Sequence, residues 1–247
     1  VTAQVELPLS FETGGGVKYV ISVSGLMGGH SGVEIDKGRA NACQIMGRVL
    51  YELYKEIPFS LCSLNGGLKD NAIPRQAEAV IVCPKKRQSE INTKIAEISA
   101  EIKHEFLETD PMILVEAKET TLVEKELTMT KDSADKVITA LLCLPGGIQK
   151  MSFRMKGLVK TSLNLGIMKT QRDHVSLSFS VRSSVESEKR ALLNRIICLT
   201  KTLGGTVTAN GDYPAWEYLE KSPLRDLMCR IFEEQYGREP IVEALHA

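Results

Sequence analysis

Apolar and polar positions alternate with a period of two from Val17, where Val17, Tyr19, Ile21 and Val23 are interleaved with Lys18, Ser22 and Ser24. That period predicts a half-buried strand. The strand runs into a glycine-rich loop, Gly25-Leu26-Met27-Gly28-Gly29-His30-Ser31-Gly32. Ala42, Met46, Val49, Leu50 and Leu53 then recur at helical spacing, so a helix is expected over about 36–55 with Asp36 as its N-cap. Strand patterns return over Phe59 to Leu64 and Ala77 to Cys83, on either side of a loop from Asn65-Gly66-Gly67 to Asn71-Ala72-Ile73-Pro74-Arg75. Ile91, Ile95, Ile98, Ile102 and Phe106 predict a second helix, and Met112 to Ala117 a further strand. This half reads β-α-β-β-α-β.

The second half repeats that order loosely. After a polar stretch, a helix over Ala134 to Leu144 stops at Pro145-Gly146-Gly147. Two alternating runs follow. Thr161, Leu163, Leu165 and Ile167 share one face, opposite Ser162, Asn164 and Gly166; Val175, Leu177, Phe179 and Val181 share one face, opposite Ser176, Ser178, Ser180 and Arg182. Both apolar faces are odd-numbered, so the pairing of a hairpin needs an odd loop or a bulge near Gln171-Arg172-Asp173. A loop of those three residues sets Asn164 opposite Ser180 and Ser162 opposite Arg182. Ser183-x-x-Glu186 has the form of a capping box for a helix to Leu203, and Thr206 to Ala209 reads as a strand. The texture changes at Tyr213-Pro214-Ala215-Trp216; a helix at about Pro223 to Tyr236 precedes Ile241 to Ala247, which reads as a buried strand. The first 16 residues, ending in Gly14-Gly15-Gly16, read as a connector.

Composition narrows the functional classes. The 247 residues carry 31 Lys+Arg and 31 Asp+Glu, so no overall field favours nucleic acid or an anionic membrane. No apolar run approaches the ~20 residues of a membrane span, and a soluble, cytoplasmic protein is expected. Six separated cysteines without a C-x-x-C pair suit reduced, buried thiols. An abrupt stop in a strand-like segment, together with Val at position 1, suggests a piece of a longer protein.

Candidate chemistry is sparse. His30 sits among glycines that let backbone approach a ligand closely. A serine-nucleophile elbow fails because the fifth position of the G-x-S-x-G pattern is Val33. Four histidines, His30, His104, His174 and His246, lack partners at ligand spacing, so no complete metal site is expected. Arg182 ends a strand of same-face serines, where a planar guanidinium is suited to a carboxylate. Asn71 precedes a proline turn that would fix its amide.

Taken in order, Gly28-Gly29-His30-Ser31-Gly32 with Gly38-Arg39-Ala40-Asn41-Ala42, Asn65-Gly66-Gly67 with Asn71 to Arg75, Thr161-Ser162-Leu163-Asn164-Leu165-Gly166, and Leu245-His246-Ala247 resemble the aminoacyl-histidine dipeptidases. These belong to a superfamily of dizinc metallopeptidases that includes carnosinases, peptidase T, peptidase V and carboxypeptidase G. The resemblance implies an α+β lid domain of two β-α-β-β-type, ferredoxin-like halves, with a mixed or antiparallel sheet and helices on one face. Residues 17–212 would be this lid and dimerisation domain, 1–16 and 213–247 remnants of an α/β zinc-peptidase domain. Two zinc ions would be held by His-x-Asp, Glu-Glu and other ligands that lie outside this chain. His30 would stabilise the oxyanion, Asn71 would hydrogen-bond near the same centre, Arg182 would grip the free carboxylate of a dipeptide, and His246 would complete the substrate pocket. The resemblance also implies a homodimer and Xaa-His-type dipeptide substrates. A non-enzymatic ferredoxin-like ligand-binding or dimerisation module is the alternative, because fold alone does not decide.

Overall fold

The computed structural model describes residues 1–246. Strands β2 (Phe11–Ser24), β4 (Ser60–Gly66), β6 (Ala77–Cys83) and β7 (Leu114–Met129) lie in the order β4-β6-β2-β7, and helices α1 (Ala42–Glu56) and α2 (Gln88–Glu105) make their crossovers. Between them, β3 (Gly29–His30) and β5 (Ala72–Ile73) form a separate two-stranded sheet. A second set repeats the pattern: β1 (Thr2–Pro8), α3 (Lys131–Cys143), β9 (Val159–Thr170), β10 (His174–Ser183), α4 (Glu186–Thr202) and β11 (Thr206–Asn210), in the order β11-β1-β10-β9. Each set is an antiparallel β-α-β-β-α-β unit of ferredoxin-like order, and the first is inserted after the opening strand of the second. The units join at β4 and β9 into one sheet with helices on one face, the expected α+β architecture.

The joint is short. Among the described residues, Asn65 pairs with Lys169 and Gly66 with Met168 across it. Strand β8 (Gly147–Met151) pairs with the other end of the same β9 edge, from Val159 to Leu163. The units are held together chiefly by a shared apolar core, in which Val49 and Leu50 of α1, Val137 and Leu141 of α3, and the inward faces of both strand sets are buried. Gly47 marks the closest approach of the two helices, since a Cβ there would lie 2.6 Å from that of Leu141.

Several elements differ from the sequence pattern for identifiable reasons. Residues 1–16 are not a connector: β1 is a central strand between β10 and β11, and Ala3, Val5 and Leu7 are core. The three glycines lie within β2, where register shifts between Gly14 and Gly16 and between Lys18 and Tyr19. A Cβ on Gly16 would come within 2.3 Å of the Cys83 carbonyl oxygen, so that position needs glycine to pair at all. The polar stretch after Ala117 continues β7 to Met129, because an edge strand has one sheet neighbour and carries charge on its free side. Asp36 lies in a short 3₁₀ turn (Ile35–Lys37), and Asn41 caps α1 instead. No capping box forms at α4, whose N-cap is Val185. Cys43, Cys62 and Cys83 are buried, but Cys143 and Cys198 are exposed and Cys229 partly so.

The C-terminal part differs most. Helix α5 (Pro223–Tyr236) forms, capped by Ser222 and ended by Gly237, yet it buries no residue. The expected strand from Ile241 is not one: none of 241–246 pairs with a described strand, Ile241, Val242 and Leu245 are exposed, and Ala247 lies outside the described residues. No helix among the described residues is long and apolar enough to cross a membrane.

The placement of β1 has a direct test. Leu7 is 1% exposed, so Leu7→Ala should lower unfolding free energy by about 2–5 kcal/mol in denaturant titration. A change within about 0.5 kcal/mol, as for a surface connector, would contradict the strand's central position.

Candidate functional site

The hairpin of β9 and β10 forms the floor of the site. Arg182 pairs with Ser162 and Ser180 with Asn164, the expected partners. Parity is met at a different place from that expected. Gln171 N–H donates to the His174 carbonyl at 2.8 Å, closing a turn on Arg172-Asp173, and the pairing jumps from Ser178–Ile167 to Phe179–Leu165. Gly166 is therefore the bulged residue, and Met168 rather than Ile167 enters the core beyond it.

Each polar residue of Thr161-Ser162-Leu163-Asn164-Leu165-Gly166 has a task. Thr161 donates to Glu188 of α4 at 2.7 Å. Burial alone would raise the Glu188 pKa, but hydrogen bonds from Lys160, Thr161 and Lys150 outweigh it and hold the carboxyl at about 2. Ser162 faces the other way and bonds His246 Nε2 at 2.7 Å. Asn164 Nδ2 donates to the carbonyls of Asp70 at 3.1 Å and Ala72 at 2.8 Å. A Cβ on Gly166 would lie 2.4 Å from the Asp70 carbonyl oxygen and 2.5 Å from Asp70 Cα, so the loop crosses β9 where a side chain is missing.

That loop carries Asn71, whose exposed side chain stands between the two gripped carbonyls. His30 is its neighbour across the small sheet: His30 pairs with Ala72, and Ser31 N–H donates to the Asn71 carbonyl at 2.9 Å. The backbone of His30 is fixed by Glu34, which accepts its N–H at 2.8 Å and pairs with Arg39 at 3.1 Å. The His30 amide bond, with the Arg39 charge, holds the Glu34 carboxyl below its ordinary pKa. His30 Nδ1 accepts the N–H groups of Gly32 at 3.1 Å and Val33 at 3.3 Å. In the neutral ring the proton consequently sits on Nε2, which becomes the donor.

His246 closes the circle. A Cβ on Gly32 would lie 3.0 Å from the His246 carbonyl oxygen and 3.0 Å from His30 Cε1, so the C-terminal segment runs beside the His30 ring. Its imidazole is 8% exposed. Burial, then the Arg182 charge, push its pKa from 6.5 down to about 4, with a bond to the Val159 backbone acting the other way. Arg182 Nε is itself buried without a hydrogen-bond partner among the described residues. All four expected residues thus lie along one connected path, from Asn71 and His30 through Gly32 and His246 to Ser162 and Arg182. Ser162, Asn164 and the Glu34–Arg39 brace were not among the expected site residues; an asparagine beside a glycine on the polar face of a strand was the available signal.

The donors do not form a metal site. No group of three His, Cys, Asp or Glu among the described residues is placed to hold an ion. His30 Nδ1 and His246 Nε2, moreover, are committed to hydrogen bonds within the chain.

Residues 21–110 match the family model described as a peptidase dimerisation domain, M20_dimer. Over its length the chain is similar to parts of two dipeptidases. It is 29% identical over 241 residues to the cytosol non-specific dipeptidase of Escherichia coli (strain K12), covering 98% of this chain and 48% of that protein. It matches the crystal structure of aminoacylhistidine dipeptidase from Vibrio alginolyticus with a TM-score of 0.91 at 25% identity, over 100% of this chain and 50% of that one. The chain therefore spans about half the length of these relatives.

The His246 environment sets a pH response. Its folded pKa lies below the unfolded value, so docking of the C-terminal segment is fully favourable above about pH 6.5 and weakens as pH falls toward 4, by roughly 2–4 kcal/mol in all. Proton NMR should find the imidazole neutral at pH 5.5, with amide exchange over 237–246 rising below that. A ring titrating near 6.5 would contradict its burial beside Arg182.

Proposed function

We propose that this chain is the substrate-facing lid of a metallo-dipeptidase. The lid begins at β1 and extends to about residue 212, while 213–246 belongs to the hydrolytic part. The exposed Leu224 and Met228 of α5, with Trp216 and Ile241, support that division, because a helix with no buried face needs a partner outside this chain. The relatives' names support dipeptides as substrates, with Xaa-His-type dipeptides among them, and the cytosol as location. A homodimer accords with the dimerisation domain.

One observation carries the reading. Arg182 presents a buried, unpartnered N–H on a permanent cation, next to a histidine kept neutral, and that histidine's segment runs beside the His30 ring, whose Nε2–H is a donor. A buried N–H donor is costly without an acceptor, and a peptide carboxylate supplies one in bidentate geometry with the guanidinium. With the carboxylate on Arg182, the scissile carbonyl of a short peptide meets His30. Its Nε2–H is then a donor held ready for negative charge developing on that oxygen. Asn71 supplies a second polar contact there, and His246 with Ser162 closes the wall behind the carboxylate. Zinc bound by residues beyond this chain would supply an activated water; no donor set here fits it. The lid acts by binding, orienting and charge stabilisation. A non-enzymatic module shares the fold but leaves the unpartnered Arg182 N–H without a purpose.

In the intact protein, His30→Ala should lower kcat by about 10²–10³ with metal content unchanged. Arg182→Met should instead act mainly through KM for substrates with a free carboxylate. Normal turnover in His30→Ala would remove the proposed role. The isolated chain should cleave no dipeptide; stoichiometric uptake of two zinc ions by it would overturn the assignment.

A further inference from the structure

The carbonyl-facing and carboxylate-facing groups belong to different units of the fold. His30 and Asn71 stand on loops of the inserted unit, whereas Arg182 and Ser162 stand on β9 and β10 of the other. Few ladder bonds join the units, since β4 and β9 pair at two positions and β8 takes β9 only up to Leu163. Between Leu163 and Met168 no strand pairs with that edge of β9 among the described residues. Side-chain amides fill this gap. Asn41 Nδ2 donates to the Leu165 carbonyl at 2.9 Å and to Asn164 Oδ1 at 3.0 Å, while its own Oδ1 accepts Cys43 and Gln44 N–H to cap α1. Asn164 then spends both its N–H donors on the carbonyls flanking Asn71. Its orientation is fixed chemically: two carbonyl oxygens can only accept, so the amide nitrogen must face them.

From this geometry we infer that Asn164, although it need not touch substrate, is a positioning residue that sets the distance between the His30–Asn71 pair and Arg182, and so selects peptide length. Asn164 lies two residues from Ser162 on one strand and opposite Ser180, two residues from Arg182, on the next. It is 2% exposed, so its bonds are sheltered from competing water. Gripping the carbonyls on both sides of Asn71 turns that side chain outward and fixes the strand against which His30 pairs. Gly166 completes the support by letting Asp70 rest on β9. The inference rests on the dipeptidase reading for its consequence, length selection, but not for its geometry.

Two variants test it. Asn164→Asp keeps size and the acceptor for Asn41 while replacing the amide nitrogen, with both its N–H donors, by one carboxylate oxygen that repels both carbonyls. Gly166→Ala leaves Asn164 intact and pushes the same loop from below, which covers the case in which the first variant fails to fold. In the 247-residue chain, amide exchange at Ser31, which is bonded to the Asn71 carbonyl, should accelerate about tenfold or more in both, with β6 amides unchanged. In the intact protein, kcat/KM for a dipeptide should fall about 10²-fold, as for a misplacement near 1 Å, and the dipeptide-to-tripeptide preference should shrink. Unchanged Ser31 exchange overturns the inference, as does an unchanged dipeptide-to-tripeptide ratio. An unaltered intact protein that cleaves no dipeptide overturns the proposed function instead, and the exchange result then decides the positioning role by itself.

Discussion

Backbone carbonyls of a loop that crosses a sheet must find donors, and here one buried amide provides two of them. Asn164 takes the carbonyls of Asp70 and Ala72 and receives the Asn41 amide in return. Without such partners, burying those oxygens would cost of order 1–3 kcal/mol each. The bulge at Gly166, the outward turn of Asn71 and the placement of His30 opposite Ala72 all follow from that contact. An apolar core spans both units and keeps the helices on one face; the amide network decides what the opposite face presents.

Electrostatics differs between the two faces of the sheet. On the helix face, beside Thr161, Glu188 is compensated by Lys150 and Lys160 and held at about 2. On the opposite face, Arg182 Nε is buried without a hydrogen-bond partner among the described residues, and the neighbouring His246 is driven neutral.

Much of this was legible in the chain, though unevenly. Alternation along β9 and β10 gave the pairing of Ser162 with Arg182, because parity leaves few registers. The site of the parity correction was not readable, since a bulge depends on what passes over Gly166 and that is a contact from about 100 residues away. Strand β1 was missed because its partners, β10 and β11, lie far along the sequence and its own seven residues give a short pattern. The last segment was misread for the converse reason: Ile241, Val242 and Leu245 have strand composition, but propensity needs a neighbour to become a strand. His30, Asn71, Arg182 and His246 could be chosen from residue type and motif; the contacts by which Asn164, Ser162 and Glu34 hold them are made across long sequence separations or by loop geometry and appear only in the fold.

The central claim is that groups from two units of one fold address a single short ligand. A crystal structure of the intact protein with a phosphinic dipeptide analogue tests it most directly. The account predicts the analogue's carboxylate on Arg182 and its phosphinyl oxygen within hydrogen-bond reach of His30 Nε2, with Asn164 still bonded to both carbonyls flanking Asn71. An analogue bound with its carboxylate away from Arg182, or with the His30 imidazole turned from the phosphinyl group, would contradict it.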